Sequence, residues 1–282
     1  MSSLLVDHQG LPALRLQTAD GASAIVMLHG GHLVSWTTSG GQERLYLSDR
    51  ARFDGQQAIR GGVPVIFPQF DRVGPDPGVP RHGFARTRPW SLAGTAQPPT
   101  GSSAMLRLAS DATSRLAWPH DFELDLTVTL GSHGITLDLQ VANSGTTPFA
   151  FTAALHTYLR VRDIAAARIR GLQGCRFRDS VAGVEDRQNQ EDLSISAECD
   201  RIYYDVGAPL SLTEGSQTLE IGMQGFRDAV VWNPWQDKCA ALADMPPLGF
   251  REMVCIEAAA IGTPVAMAPG QRWRAALFLR AR

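Results

Sequence analysis

The chain has 282 residues, of which 44% are hydrophobic and 19% charged, a balance that predicts a globular protein and excludes a disordered one. The formal net charge of -2 provides no overall field that would attract nucleic acid or an acidic membrane, so neither is expected as a partner. Lys238 is the only lysine, and an arginine therefore carries information only in a special context.

The cysteine spacing predicts whether the protein binds a metal, and the N-terminal sequence helps to predict its cellular location. The four cysteines form no C-x-x-C pair and have no zinc-ligand spacing, so we expect reduced thiols and no metal site. The opening "MSSLLVDHQG" lacks the features of a signal peptide, and no run approaches 18 apolar residues. These features predict a cytoplasmic protein.

Candidate strands follow one another along the chain, separated by turn-forming residues. They are "SAIVML" (23–28), "AMLRLAS" (104–110), "FELDLTVTL" (122–130), "ITLDLQV" (135–141), "AVVW" (229–232), "MVCIE" (253–257) and "WRAALFLRA" (273–281). Two of them alternate apolar and polar residues around the short loop "GSHG", which predicts an antiparallel hairpin with one buried face.

No long helical pattern, internal repeat or linker divides the chain. The polar segment 180–198 is expected to hold a short helix or a loop. We therefore predict an all-β fold, a β-sandwich of large antiparallel sheets, in one domain spanning 1–282.

Four stretches contain residue types suited to chemistry. In "IRGGVPVIFPQF" (59–70), Arg60 precedes two glycines, which permit a close backbone approach. "PRHGFARTRPW" (80–90) places Arg81, His82, Arg86 and Arg88 in a short span. Taken alone, each stretch is also compatible with an exposed loop.

The other two stretches each carry one titratable residue in an apolar run. His156 interrupts the strand-like "ALHTYLRV", and Glu257 follows the apolar "MVCI". Separately, a hydrogen-bonded core histidine and an exposed strand-end carboxylate are the simpler interpretations. Together, an imidazole and a carboxylate are the usual pair for general acid–base catalysis, and arginines bind phosphate by charge-assisted bonds. The combination predicts a small phosphorylated substrate.

The stretches also match a known family. "IRGGVPVIFPQF", "RHGFARTRPW", "LHTYLRV", "DRIYYDV", "VVWNPW" and "VCIEAA", in this order, resemble the glucose-6-phosphate 1-epimerases, or hexose-6-phosphate mutarotases, of the aldose 1-epimerase superfamily. The resemblance covers residues 59–257. It implies a galactose-mutarotase-like β-sandwich (supersandwich) that binds a sugar phosphate and needs no cofactor. A monomer is expected, because nothing in the sequence suggests an obligate partner.

The resemblance also implies roles for individual residues. His156 and Glu257 match the catalytic histidine and carboxylate, Arg60 and Arg86 the phosphate-binding arginines. Asp200, which opens "DRIYYDV", matches a substrate-binding aspartate. The substrate-binding set is completed by His82, in the pocket block, and Arg81, where relatives often have glutamine; Arg81 either adds a phosphate contact or points to solvent.

The implied reaction interconverts the α and β anomers of a hexose 6-phosphate, most simply glucose 6-phosphate, by ring opening and reclosure. A mutarotase for unphosphorylated aldoses and a non-catalytic sugar-phosphate-binding protein remain alternatives. Trp232 and Trp235 could stack on sugar or pack in the core, and Asn233 could orient near the site. His29 and His32 are better explained by a glycine bend than by a metal, because no third ligand is evident.

Overall fold

Strands form nearly all of the regular structure in the computed structural model, which describes residues 4–72, 78–98 and 101–282. The strands are β1 Leu5–His8, β2 Leu11–Gln17, β3 Ser23–Met27, β4 His32–Thr37, β5 Val65–Ile66, β6 Ser91–Ala96, β7 Gly101–Ala109, β8 Phe122–Gly131, β9 Gly134–Asn143, β10 Phe149–Leu155, β11 Tyr158–Arg160, β12 Arg168–Arg170, β13 Arg176–Asp179, β14 Val184–Arg187, β15 Cys199–Tyr203, β16 Leu210–Glu214, β17 Gln217–Gln224, β18 Asp228–Asn233, β19 Met253–Met267 and β20 Arg272–Ala281. Helices α1 and α2 span Ala112–Ala117 and Trp235–Ala241, and 3₁₀ turns span Ala85–Thr87 and Gly249–Glu252.

The strands form three sheets in which all pairs of named strands are antiparallel. The N-terminal sheet has the order β1-β2-β3-β4. The back sheet has the order β12-β16-β17-β20-β9-β8-β7-β6. The pocket sheet has the order β14-β13-β15-β18-β19-β10-β5, and β11 also pairs with β19. This arrangement confirms the all-β class and the large antiparallel sheets.

The predicted hairpin is the centre of the back sheet. β8 and β9 pair from Leu130 opposite Ile135 to Phe122 opposite Asn143, around a turn at Ser132 and His133. The apolar residues of β8 predicted to share one face are all buried. One apolar cluster contains residues from all three sheets, and burial of this apolar area is the main stabilising contribution. The single domain over 1–282 stays a prediction.

Two expectations about the elements need correction. The segment 180–198 holds no helix; it contains β14, which pairs with β13 at the edge of the pocket sheet. The strand expected over 253–257 runs on to Met267, because the alanines and β-branched residues after Glu257 pair with β10. Among the described residues, no helix is long and apolar enough to cross a membrane.

Candidate active site

The pairing of β10 with β19 brings the expected acid and base together. Leu155, the last residue of β10, lies opposite Ala258 of β19, so the next positions on each side are His156 and Glu257. In an antiparallel pair, directly opposed side chains lie on the same face. His156 Nε2 is 3.3 Å from Glu257 Oε1. Glu257 is therefore a mid-strand residue, and strand-end exposure is the wrong interpretation, as its 1% exposure shows.

The face of the pocket sheet that carries this pair lines a cavity of about 200 Å³. All seven residues expected from the sequence line it: Arg60, Arg81, His82, Arg86, His156, Asp200 and Glu257. Strand residues in the lining recur with a period of two, at Arg178, Asp200, Ile202, Val230, Trp232 and Tyr158, because alternate side chains point to one face of a sheet. The cavity therefore collects residues from six strands or strand ends.

Burial dominates the electrostatics of the pair. It raises the pKa of Glu257 well above its usual value and lowers the pKa of His156 well below its usual value. His82, Arg86 and Arg60 lower the pKa of His156 further. Burial thus favours a neutral carboxylic acid beside a neutral imidazole, which holds the same number of protons as a carboxylate beside an imidazolium.

Each member of the pair also has a second polar atom directed away from its partner. His156 Nδ1 and Glu257 Oε2 are buried and have no hydrogen-bond partner in the described protein. Buried polar atoms are rarely left without a partner in folded proteins, so unpaired atoms that line a cavity are candidates for contacts with a ligand.

Asp71 and Phe70 hold the His82 ring in one orientation. Its Nδ1 accepts a hydrogen bond from the backbone N–H of Asp71 at 3.2 Å, and its ring packs edge-on against that of Phe70. Burial, with Arg86 and Arg81 as further causes, lowers the pKa of His82 to about 3. His82 is therefore a neutral imidazole with its proton on Nε2, where it can donate to an oxygen in the cavity.

Arg60 is positioned by the two glycines that follow it. Gly61 has a φ of +116°, and a Cβ there would lie 2.4 Å from Tyr46 O. Gly62 has a φ of +60°, and a Cβ there would lie 2.3 Å from Leu33 O. Both positions demand glycine, because the backbone is left-handed and passes against two neighbouring chain segments. The close-approach interpretation of "RGG" is therefore correct.

Arg60 and the acid–base pair are connected through a tyrosine. Arg60 donates from Nη1 to the Tyr158 hydroxyl at 2.9 Å and from Nε to Asp244 at 3.2 Å. The Tyr158 ring stacks on the His156 ring, with centroids 4.8 Å apart and an angle of 13° between planes. Burial raises the pKa of Tyr158 to about 12, so the hydroxyl stays protonated near neutral pH.

Arg86 has a different environment, although it is largely buried. Its Nη2 donates to the backbone carbonyl of Arg81 at 3.1 Å. None of the ion pairs among the described residues involves Arg86. Burial lowers the pKa of Arg86, as expected for a guanidinium removed from water without a carboxylate beside it. A guanidinium in this environment favours the binding of an anion in the cavity.

The two other arginines of the 80–90 stretch take different positions. Arg81 lies at the rim of the cavity, with 56% of its side chain exposed, and pairs with Asp71. Arg88 points elsewhere and pairs with Asp111, the residue that caps α1. Of the four charged or titratable residues in that stretch, three therefore line the cavity and Arg88 does not.

Asp200 lies on β15 across the cavity from the arginines. Burial raises its pKa, and the nearby Lys238 acts in the opposite direction. Lys238 itself pairs with Glu198 at 2.7 Å. The carboxylate of Asp200 is suited to accept hydrogen bonds from hydroxyl groups.

Sequence reasoning did not assign Tyr158 or Arg178 to the site, and it left the place of Trp232 open. All three line the cavity. The signal was available in part, since Tyr158 lies two residues after His156 and therefore on the same face of an extended segment. Arg178 could not be found this way, because no assigned residue lies in β13.

Four other residues considered from the sequence have structural roles. Asn233 is buried and donates to the backbone carbonyls of Phe250 and Met253, both at 2.8 Å, so it ties α2 to β19. Trp235 packs on Phe250. His29 and His32 each bond a backbone carbonyl, at 2.8 and 2.7 Å. Within the described ranges, no group of three or more histidine, cysteine, aspartate or glutamate residues could hold a metal.

The fold and the cavity define a class of protein. Residues 12–280 match the family model described as aldose 1-epimerase, and the chain belongs to that family. Its members are isomerases, and the expectation of an isomerase is confirmed. The chain is 34% identical to a protein of Cenchrus ciliaris over 99% of this chain and 88% of the relative. It is 32% identical to a protein of Salmonella typhimurium over 95% and 92%. Both relatives are provisionally named glucose-6-phosphate 1-epimerase.

Solved structures give the same result for the fold. A provisionally named mutarotase from Salmonella typhimurium superposes with a TM-score of 0.90 at 29% identity, covering 98% of this chain and 92% of that one. A galactose 1-epimerase from Lactobacillus acidophilus superposes with a TM-score of 0.77 at 12% identity, covering 98% and 96%. The galactose-mutarotase-like sandwich expected from the sequence is confirmed.

Proposed function

We propose that this protein interconverts the α and β anomers of a hexose 6-phosphate, with glucose 6-phosphate as the first candidate. The observation that carries the proposal is a cavity in which an opposed His156–Glu257 pair lies near Arg86, a largely buried guanidinium without a carboxylate partner among the described residues. A sugar supplies the group on which the pair acts, and a phosphate supplies the missing anion. The names of the two relatives support the same substrate class.

The proposed reaction needs one proton removed and one supplied. Glu257, as carboxylate, takes the proton of the anomeric hydroxyl, while His156, as imidazolium, donates a proton to the ring oxygen. The bond between the anomeric carbon and the ring oxygen breaks, and an aldehyde forms. Rotation about the bond to the next carbon precedes reclosure from the other face, which returns both protons.

The proton count of the pair fits this cycle. The neutral form favoured by burial becomes the reactive carboxylate–imidazolium form by one proton transfer across the 3.3 Å contact. The pair therefore begins and ends each turnover with the same number of protons. No cofactor is needed for any step.

The remaining residues of the proposal bind and orient the substrate. Arg60 and Arg86 hold the phosphate, and Arg81 adds a charge at the rim. Asp200 accepts from sugar hydroxyls, and His82 donates from Nε2 to a sugar oxygen. Phosphate binding away from the reacting carbon would supply positioning energy for the chemical step.

The test is exchange between anomers measured by NMR, with glucose 6-phosphate and glucose as matched substrates. His156→Ala and Glu257→Gln are each expected to reduce exchange of the phosphate ester by about 10²–10⁴-fold, the usual contribution of one acid or base. His133→Ala is the matched control, because His133 is exposed in the β8–β9 turn on the back sheet.

The outcomes separate the alternatives. Equal exchange of both sugars would replace the proposal with a general aldose mutarotase. Tight binding of glucose 6-phosphate without exchange above the spontaneous rate would indicate a non-catalytic sugar-phosphate-binding protein. A monomeric state and a cytoplasmic location stay predictions.

A further inference from the structure

The proposed phosphate clamp, Arg60 and Arg86, is linked to the proposed acid through one side chain. Arg60 is bonded to the Tyr158 hydroxyl at 2.9 Å, and the Tyr158 ring lies flat on the His156 ring. On another side, the His82 ring meets the His156 ring edge-on, with centroids 5.9 Å apart. The clamp and the acid–base pair are thus neighbours, so charge at one affects the other.

The two arginines of the clamp carry more positive charge than the carboxylates paired with them neutralise. Asp244 pairs with Arg60 at 3.2 Å, but among the described residues the side chain of Arg86 donates only to a backbone carbonyl, that of Arg81. In a partly buried pocket, charges several ångströms apart interact much more strongly than in water. The surplus positive charge opposes formation of an imidazolium at His156.

Among the described residues, the charged and titratable groups that act on the pair come from several elements. They are Arg60 before β5, His82 and Arg86 in the 80–90 segment, Tyr158 on β11, Asp200 on β15, and Cys255 and Glu257 on β19. Asp200 is the only carboxylate in this set besides Glu257 itself. The cysteine and tyrosine are neutral near neutral pH, since burial raises the pKa of each.

We propose that an anion bound at Arg60 and Arg86 activates the His156–Glu257 pair and does not serve only as an anchor for the sugar. The proposal rests on the proposed function. A bound phosphate dianion cancels the surplus positive charge. Arg86 lowers the pKa of both Glu257 and His156, whereas Arg60 lowers that of His156 only, so the net effect of the anion is to make the carboxylate–imidazolium form accessible. Sugars without phosphate therefore bind more weakly and also meet a less reactive pair, which gives specificity at the chemical step.

The first experiment supplies the substrate in two pieces. D-xylose has the glucopyranose ring without the carbon that carries the phosphate, and phosphite dianion replaces the phosphate. We expect phosphite to accelerate xylose anomer exchange by the protein saturably, by roughly tenfold or more. A single charge several ångströms from His156 has an effect of this size at an effective dielectric constant of about 20. Sodium chloride at equal ionic strength is the control.

The outcomes keep the two proposals apart. Fast exchange of glucose 6-phosphate with xylose exchange unchanged or inhibited by phosphite would overturn the activation and leave the proposed function intact. Absence of exchange with glucose 6-phosphate would overturn both.

Charge-neutral variants give an independent result. Arg86→Gln is expected to abolish the phosphite effect and to raise xylose exchange without phosphite several-fold, because the opposing charge is gone. A role in anchoring alone predicts no such rise. Arg88→Gln is the matched control from the same segment, since Arg88 pairs with Asp111 outside the cavity, and it is expected to keep the full phosphite effect.

A measurement on the unmodified protein decides the matter if a variant fails to fold. The imidazole resonance of His156 is followed by NMR against pH with 1-deoxyglucose 6-phosphate, which has no anomeric hydroxyl, and with 1-deoxyglucose. The phosphorylated analogue is expected to raise the apparent pKa of His156 relative to the unphosphorylated one. Equal titration curves for the two saturated complexes would overturn the proposal.

Discussion

Arg86 in the pocket and Arg107 on the back sheet have opposite surroundings. On the back sheet, Arg107 makes a two-point contact with Asp125, with Nε–Oδ1 and Nη2–Oδ2 both 2.7 Å, and also pairs with Glu123 at 3.0 Å. In the pocket, Arg86 is partly buried and has no carboxylate partner among the described residues.

The difference separates a structural charge from a functional one. A partly exposed, fully paired arginine adds little to stability, because water screens the pair and its side chains lose freedom. A buried and unpaired arginine lowers stability, so its presence needs a reason outside the folded chain itself. An anionic ligand is the simplest reason. Glycines and histidines of the pocket and of the back sheet can be compared in the same way.

Gly62→Ala is expected to have the largest effect. A Cβ at this left-handed position would lie 2.3 Å from Leu33 O, so the backbone must shift and Arg60 must move with it. We expect the free energy of unfolding to fall by about 3 kcal/mol or more, measured by urea denaturation.

The matched control is Gly215→Ala in the β16–β17 turn of the back sheet. Gly215 has a φ of +59° but no atom within 4 Å of a Cβ, so only the conformational cost of about 1–2 kcal/mol applies. Equal losses for the two variants would show that close approach at Gly62 is unimportant.

Arg86→Gln and Arg107→Gln should separate activity from stability. Arg86→Gln is expected to lower kcat/KM for glucose 6-phosphate by roughly 10²-fold, through loss of charge-assisted bonds, while stability is unchanged or slightly higher. Arg107→Gln is expected to leave kcat/KM unchanged and lower the unfolding free energy by about 1 kcal/mol or less. Anomer exchange and urea denaturation of both proteins test the comparison, which fails if Arg86→Gln destabilises the fold as much as it reduces activity.

The smallest expected effect near neutral pH is the contribution of His32 to the loss of folded stability in acid. This residue is buried against the pocket loop, donates to Gly61 O, and has a pKa lowered by burial to about 3. Because the unfolded chain takes up this proton near the ordinary value of 6.5, folded stability falls as the pH drops from about 6.5 to about 3. One such group lowers the free energy of unfolding by about 0.8 kcal/mol at about pH 6, and this loss grows by about 1.4 kcal/mol for each further pH unit within that window.

His32→Gln is expected to reduce the pH dependence of the unfolding free energy by about one proton in that window. The control is His133→Gln, which alters an exposed turn of the back sheet. Unchanged slopes in urea denaturation series of both variants would contradict the assignment to His32.

Local sequence predicted seven of the strands, β3, β7, β8, β9, β18, β19 and β20. Apolar and polar alternation indicates which side chains are buried and is visible within a few residues. The β8–β9 hairpin, the glycine bend after Arg60 and the apolar surroundings of Glu257 were all legible in this way. Resemblance across six ordered blocks named the seven cavity residues, and all seven line one cavity.

Tertiary structure decided which side chains and which strands pair with each other. Nothing local distinguishes Arg86 from Arg88, yet one enters the cavity and the other pairs with Asp111. Asn233, two strands from His156 in the sheet order, ties α2 to β19. In the segment 180–198, where a short helix or a loop was expected, β14 forms because β13 offers a free edge. Pairing, burial and charge compensation depend on residues far apart in the chain, and the energies that set them exist only once the sheets are packed.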